Sequence, residues 1–68
     1  MSFSEILKIL RTQSNMTQKA LGEKLNLTVS TICDWEKQRS EPNLKQLISL
    51  ASVFNVPTDF LLGRTHEC

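Results

Sequence analysis

Glycine and proline occur only twice each in this 68-residue chain, tyrosine is absent, and the charges nearly cancel to a net +1. So few glycines leave no glycine-rich loop to cradle a phosphate. Cysteine is as sparse: Cys33 and Cys68 make no disulfide framework, and neither has a metal-ligating partner at usable spacing. The single histidine, His66, stands alone in a polar tail and offers neither a metal site nor a catalytic base. A nucleophile–base constellation and a carboxylate pair are missing too, so catalysis has no support and no cofactor is expected. No apolar run approaches membrane-spanning length. The opening MSFSEILKIL carries an acid and a lysine among its apolar residues, unlike a signal peptide. A cytoplasmic protein is therefore expected, and its 40% hydrophobic and 22% charged residues are those of a folded chain, not a disordered one. At this size a single core is barely sufficient. Because DNA-binding domains are often strongly basic, a charge of +1 means that any positive face must be local.

What is present is organised around Thr17–Glu36, TQKALGEKLNLTVSTICDWE, which reads as two short helices joined by a tight turn. Thr17 caps the first, whose apolar stripe is Ala20, Leu21 and Leu25. Asn26 falls where the backbone must turn, and asparagine tolerates the left-handed conformation better than most non-glycine residues. Thr28 caps the second helix, sharing the core side with Ile32 and Trp35. Each start pairs an apolar residue before the cap with one at the fourth helical position, Met16 with Leu21 and Leu27 with Ile32. Two triplets, Asn15-Met16-Thr17 and Asn26-Leu27-Thr28, match the glycosylation pattern, but chance and capping chemistry explain them better.

Upstream, Ser2 and Glu5 form a capping box that starts a helix at Phe3, and Phe3, Ile6, Leu7 and Leu10 recur at helical spacing. Gln13-Ser14-Asn15 ends it. Downstream of the helix pair runs a polar connection, Lys37-Gln38-Arg39-Ser40-Glu41-Pro42. Asn43, boxed with Gln46, then starts a fourth helix with Leu44, Leu47, Ile48, Ala51 and Phe54 as its expected buried face. Leu50 and Val53 widen that surface and hint at contacts on two sides. Asn55 ends the helix. Pro57 suits the first turn of a short fifth helix carrying Phe60, Leu61 and Leu62, stopped by Gly63. The tail Arg64–Cys68 has no pattern. The four aromatic residues, Phe3, Trp35, Phe54 and Phe60, all fall on expected core stripes. No strand, repeat or interdomain linker is predicted. The expected fold is all-α: five helices in one domain, residues 1–68, with the helix pair at 17–37.

Thr17-Gln18, Leu21, Leu25, Thr-x-x-Thr-Ile at 28–32 and Trp35-Glu36, followed by Glu41-Pro42, Leu47, Leu50-Ala51, Phe54, Val56 and Asp59-Phe60-Leu61-Leu62-Gly63, carry a resemblance. The chain resembles the lambda-repressor-like (Xre/Cro-type) helix-turn-helix domains over nearly its whole length. It departs from their pattern at Asn15 and near Gln38, where relatives usually have glycine, and at Pro57, where they often have a serine cap. The resemblance implies a compact five-helix domain that binds double-stranded DNA and reads the major groove with its third helix.

At about 100° per residue, Ser30, Cys33, Asp34 and Lys37 share the outer side of that helix, with Val29 at the leading edge. A merely solvated helix would show the same pattern; the resemblance implies base contact for Val29, Ser30, Cys33 and Asp34. Val29 suits a thymine methyl, Ser30 a donor or an acceptor, and Asp34 the amino group of cytosine. Asp34 is either a specificity element or an outer-edge residue. Cys33 reads as a small weakly polar contact or a neutral filler. The resemblance carries a phosphate contact to Gln18, in the first turn of the second helix, where free N–H groups favour an anion. Thr28 is a further phosphate candidate, although capping alone accounts for it. Lys19, Lys37, Arg39 and Lys45 border the same face, diluted by Glu23 and Glu41. Relatives join the residues matching Arg11 and Glu36 as a largely buried ion pair, a structural role. The positions of Thr58, Asp59 and Leu61 are used for dimerisation in relatives, so a homodimer on an inverted-repeat operator is implied.

The function expected from these residues is sequence-specific regulation of transcription, by a repressor of the phage or mobile-element type. An antitoxin-like module that grips a protein partner and binds DNA secondarily is the alternative, supported by the neutral charge and by Leu50 and Val53.

Overall fold

A computed structural model describes residues 2–62 of the chain. These residues form α1 (Phe3–Gln13), α2 (Gln18–Leu25), α3 (Val29–Glu36), α4 (Leu44–Phe54) and α5 (Thr58–Leu61), with no strand among them. Gly63 and the tail with His66 and Cys68 lie outside the described residues.

Four of the five helices start on a side-chain cap. Thr17 Oγ1 accepts the Ala20 N–H at 3.0 Å, and Thr28 Oγ1 accepts that of Thr31 at 3.3 Å. Ser2 with Glu5 and Asn43 with Gln46 close reciprocal capping boxes. The Ser2 N–H and hydroxyl that bond the Glu5 carboxylate hold its pKa below the ordinary glutamate value. Pro57 stands at the start of α5 as its cap residue, without a side-chain bond.

The helix ends follow one pattern as well. Asn15, Asn26, Gln38 and Asn55 all have φ between 56° and 62°. In each case the next residue donates its N–H back to a carbonyl five residues earlier: Met16 to Arg11, Leu27 to Gly22, Arg39 to Asp34 and Val56 to Ala51, at 3.1, 2.7, 2.8 and 3.0 Å. These are Schellman motifs, which satisfy carbonyls that a helix end would otherwise leave orphaned. Glycine usually takes the left-handed position; here asparagine and glutamine take it. Gly22 serves differently. A Cβ there would sit 2.8 Å from the Leu27 carbonyl oxygen, so the α2–α3 turn requires a residue without one.

The core consists of Ile6, Leu7, Leu21, Ile32, Trp35, Leu47, Leu50, Ala51 and Leu61. It corrects several sequence expectations. On α4 the buried stripe is Leu47, Leu50 and Ala51 with Phe54 partly buried, whereas Leu44 and Ile48 are 72% and 54% exposed. The helix carries two overlapping apolar stripes, and only packing against α2 and α5 selects between them. Leu50 is therefore core and not a second contact surface. Phe60, expected inside, is exposed, while its neighbour Leu61 is fully buried. A one-turn helix packed against α1 and α4 can turn only one of two adjacent residues inward. Leu61, expected at a dimer contact, is thus enclosed within its own domain. Thr28 is exposed and not on the core side, because a cap residue with extended backbone (φ −81°, ψ 159°) leaves the helical wheel.

Candidate nucleic-acid interface

α3 is held from behind. Ile32 and Trp35 lock one side into the core, and α1 and α2 pack against it. Glu36, at its last position, gathers the surrounding elements. Arg11 Nε donates to Glu36 Oε2 at 2.6 Å and Nη2 to Oε1 at 3.3 Å; Nη1 donates to the Met16 carbonyl at 2.8 Å. Gln18 Nε2 donates to Glu36 Oε1 at 3.0 Å. The Arg11 and Glu36 side chains are only 12% and 5% exposed, so the pair is sheltered, and all three guanidinium nitrogens donate to a partner. One cluster thereby ties the ends of α1 and α3 to the start of α2.

The opposite side of α3 is open. Val29 and Ser30 are exposed, and Cys33 and Asp34 are half-buried farther along. The side chains at the leading edge are short, which lets a helix approach base edges closely. Lys19 at the start of α2, Lys37 and Arg39 after α3, and Lys45 on α4 are all exposed. Lys45 and Asn43 line a shallow depression of about 260 Å³ with Leu25 and Leu27, which places the start of α4 beside the α2–α3 turn. Four cations thus flank a face whose centre is neutral or acidic.

Gln18, expected to meet phosphate, is half-buried with one amide hydrogen committed to Glu36. An amide has a second N–H, so this bond orients the group without exhausting it. Asp34 is not isolated: Arg39 Nη1 lies 3.6 Å from its Oδ1, with the two side chains 64% and 39% exposed. Around α5, Thr58 is half-buried and Asp59 exposed, beside the exposed Phe60 and Leu62. Three features escaped the sequence reading: Gly22, the Gln18–Glu36 bond and the Asp34–Arg39 pair. The first and third had a signal in the five-residue spacing across each left-handed turn. The second had none, because it joins residues 18 positions apart.

Comparisons with known proteins agree with this geometry. The helix-turn-helix family model matches residues 7–61. The HTH-type transcriptional regulator ImmR of Bacillus subtilis is 36% identical over 64 residues, covering 94% of this chain and 50% of that protein. The HTH-type transcriptional activator BcrR of Enterococcus faecalis is 39% identical over 63 residues, covering 93% and 31%. The chain thus spans half or less of the length of these relatives. Among solved structures, the phage P22 c2 repressor in complex with a synthetic operator superposes with a TM-score of 0.86 at 27% identity, over 91% of this chain and 94% of that one. With its helix pair packed on the core, the outer side of its third helix open and a family match over residues 7–61, the chain belongs to the lambda-repressor-like (Xre/Cro-type) helix-turn-helix family.

Proposed function

We propose that this chain is the DNA-binding unit of a sequence-specific transcriptional repressor that works in the cytoplasm as a homodimer on an inverted-repeat operator. The observation that carries the reading is α3 itself: locked by Ile32, Trp35 and Glu36 on one side, it leaves Val29 and Ser30 open on the other, between exposed lysines. Val29, Ser30, Cys33 and Asp34 meet base edges, with Val29 suited to a thymine methyl and Asp34 to the cytosine amino group. Gln18, Lys19, Thr28, Lys37, Arg39 and Lys45 meet phosphates. The P22 c2 repressor, solved with an operator, supports repression by the same fold, whereas BcrR, an activator, shows that the fold alone does not decide the sign.

One recognition helix reads only a few base pairs, and four flanking cations give one copy a modest grip. Two copies related by a two-fold axis would place α3 in successive major grooves about 34–36 Å apart. The domain is 35 Å in its longest dimension, enough for neighbours to touch at that spacing. Thr58 and Asp59 remain the candidate contacts, with Phe60 and Leu62 in place of the buried Leu61.

The test is selection from a random duplex library, followed by titration of the selected site at several salt concentrations. Log affinity should fall linearly with log salt, by about 0.9 per phosphate neutralised. No enriched sequence, or binding flat in salt, would sink the reading. Stoichiometry by ultracentrifugation should give two chains per site; one chain on a site without an inverted repeat would remove the dimer. A protein-binding module is the second reading, favoured by the exposed Leu44 and Ile48, one turn apart on α4.

A further inference from the structure

The end of α3 is built unlike the other three Schellman ends. After the left-handed residue, α1, α2 and α4 continue with Met16, Leu27 and Val56, apolar residues packed against the core. An apolar contact at this position is the usual companion of the motif. After Gln38 the chain has Arg39 instead. The turn is the same, with the Gln38 N–H on the Trp35 carbonyl at 3.3 Å and the Arg39 N–H on the Asp34 carbonyl at 2.8 Å. It folds the guanidinium back to 3.6 Å from the Asp34 carboxylate, so an ion pair stands where the other ends have an apolar contact. At 64% and 39% exposure the pair is well screened, and its value to folding is small. Its place matters more. Of the two acids in α3, Glu36 is committed to Arg11, so Asp34 is the only carboxylate that α3 offers to its outer side.

We propose that Asp34 and Arg39 act as one recognition unit, in which Arg39 is the positioning residue that makes an acid usable on a phosphate-facing surface. The inference rests on the DNA-binding reading of the same face and changes the role of Arg39 within it, from an independent phosphate contact to a bridge. A lone carboxylate there is repelled by the phosphates and cancels one of the flanking lysines. With Arg39 beside it the couple is neutral. The guanidinium has five N–H donors in a planar fork, enough to hold Asp34 and a phosphate together. Asp34, which as a carboxylate only accepts, keeps free lone pairs for the amino group of cytosine and rejects the acceptor-only edge of guanine. The phosphate anchor and the base contact are thus linked through one ion pair.

The experiment is a double-mutant cycle on the full chain. Wild type, Asp34→Ala, Arg39→Ala, the double variant and Arg39→Lys are titrated on the selected duplex and on duplexes changed at single base pairs, at several salt concentrations. Water reaches both side chains, so all five proteins should melt alike. In the wild-type background Asp34→Ala should lower preference at one base pair by about tenfold, the size of a single base contact. Arg39→Ala should abolish preference at that same base pair and reduce the salt slope by about 0.9. In the Arg39→Ala background, Asp34→Ala should strengthen binding to every sequence, reversing its sign. Arg39→Lys should keep the salt slope yet lose most of the preference, because an ammonium lacks the fork. Additive effects, or an Arg39→Ala variant that weakens all sequences equally, would overturn the proposal while leaving the function intact. A wild-type chain without selective, salt-dependent binding would overturn both.

Discussion

α3 offers a carboxylate to each of two arginines, and the two pairs sit in opposite environments. Glu36 meets Arg11 across 25 residues of chain, with a second partner in Gln18, and both charged side chains are nearly enclosed. Asp34 meets Arg39 across five residues, at 3.6 Å, in solvent. Screening sets the difference. An exposed pair is worth about 0–1 kcal/mol, whereas removing one partner of a buried pair strands a charge that water no longer reaches. The buried pair therefore belongs to the fold and the exposed one to whatever the surface meets. Two helical turns suffice to serve both because α3 points its last residue inward and its outer side away.

The largest expected effect breaks the buried member of the comparison. Arg11→Ala should cost roughly 3–5 kcal/mol, since Glu36 keeps only Gln18 as a partner and the Met16 carbonyl loses its donor. For a domain this small that is much of a total stability of about 5 kcal/mol. Thermal or urea unfolding reads it directly, and a melting temperature within a degree or two of wild type would show that the pair is solvated. Replacing both partners, as Arg11→Met with Glu36→Leu, should recover most of the loss, because no charge is stranded.

Gly22→Ala is next. The added Cβ meets the Leu27 carbonyl, a backbone group that cannot step aside alone, so α2 and the turn must separate at a cost of about 1–3 kcal/mol. The same shift draws Gln18 from Glu36, so the buried cluster should loosen while the exposed pair stays intact. Faster amide exchange around Gln18, with residues near Arg39 unchanged, is the expected signature in hydrogen-exchange measurements.

Gln38→Gly should act in the other direction. Gln38 holds a φ of 62°, which costs a residue with a Cβ about 1–2 kcal/mol, and glycine removes that strain at some loss of unfolded-state entropy. A gain of about 0.5–1 kcal/mol in unfolding free energy is expected. A loss would mean that the glutamine side chain supports the turn.

The smallest effect completes the contrast. Asp34→Ala or Arg39→Ala should change unfolding free energy by no more than about 0.5 kcal/mol, because both groups remain hydrated without their partner. A cost near that of Arg11→Ala would erase the distinction between the two pairs.

Helix boundaries were the most legible part of the molecule. Ser2, Thr17, Thr28 and Asn43 cap their helices, and Asn15, Asn26 and Asn55 end them, because capping and left-handed turns are settled among residues within five positions of one another. The short open side of α3 was legible for a similar reason: once Ile32 and Trp35 face the core, helical geometry places Ser30 and Asp34 away from it. What stayed hidden was set by neighbours. Leu44, Leu47, Ile48, Leu50 and Ala51 offer more apolar surface than one helix can bury, so the inward stripe was chosen by α2 and α5 and not by α4. Phe60 and Leu61 are similarly apolar, and the one-turn α5 buried the leucine, expected at a dimer contact, while leaving the phenylalanine exposed. The Gln18–Glu36 bond likewise depends on how closely α2 approaches the end of α3. Local hydrogen bonding thus decided where each helix starts and stops, while the choice of buried face waited for tertiary packing, because hydrophobic burial has no direction until a partner surface supplies one.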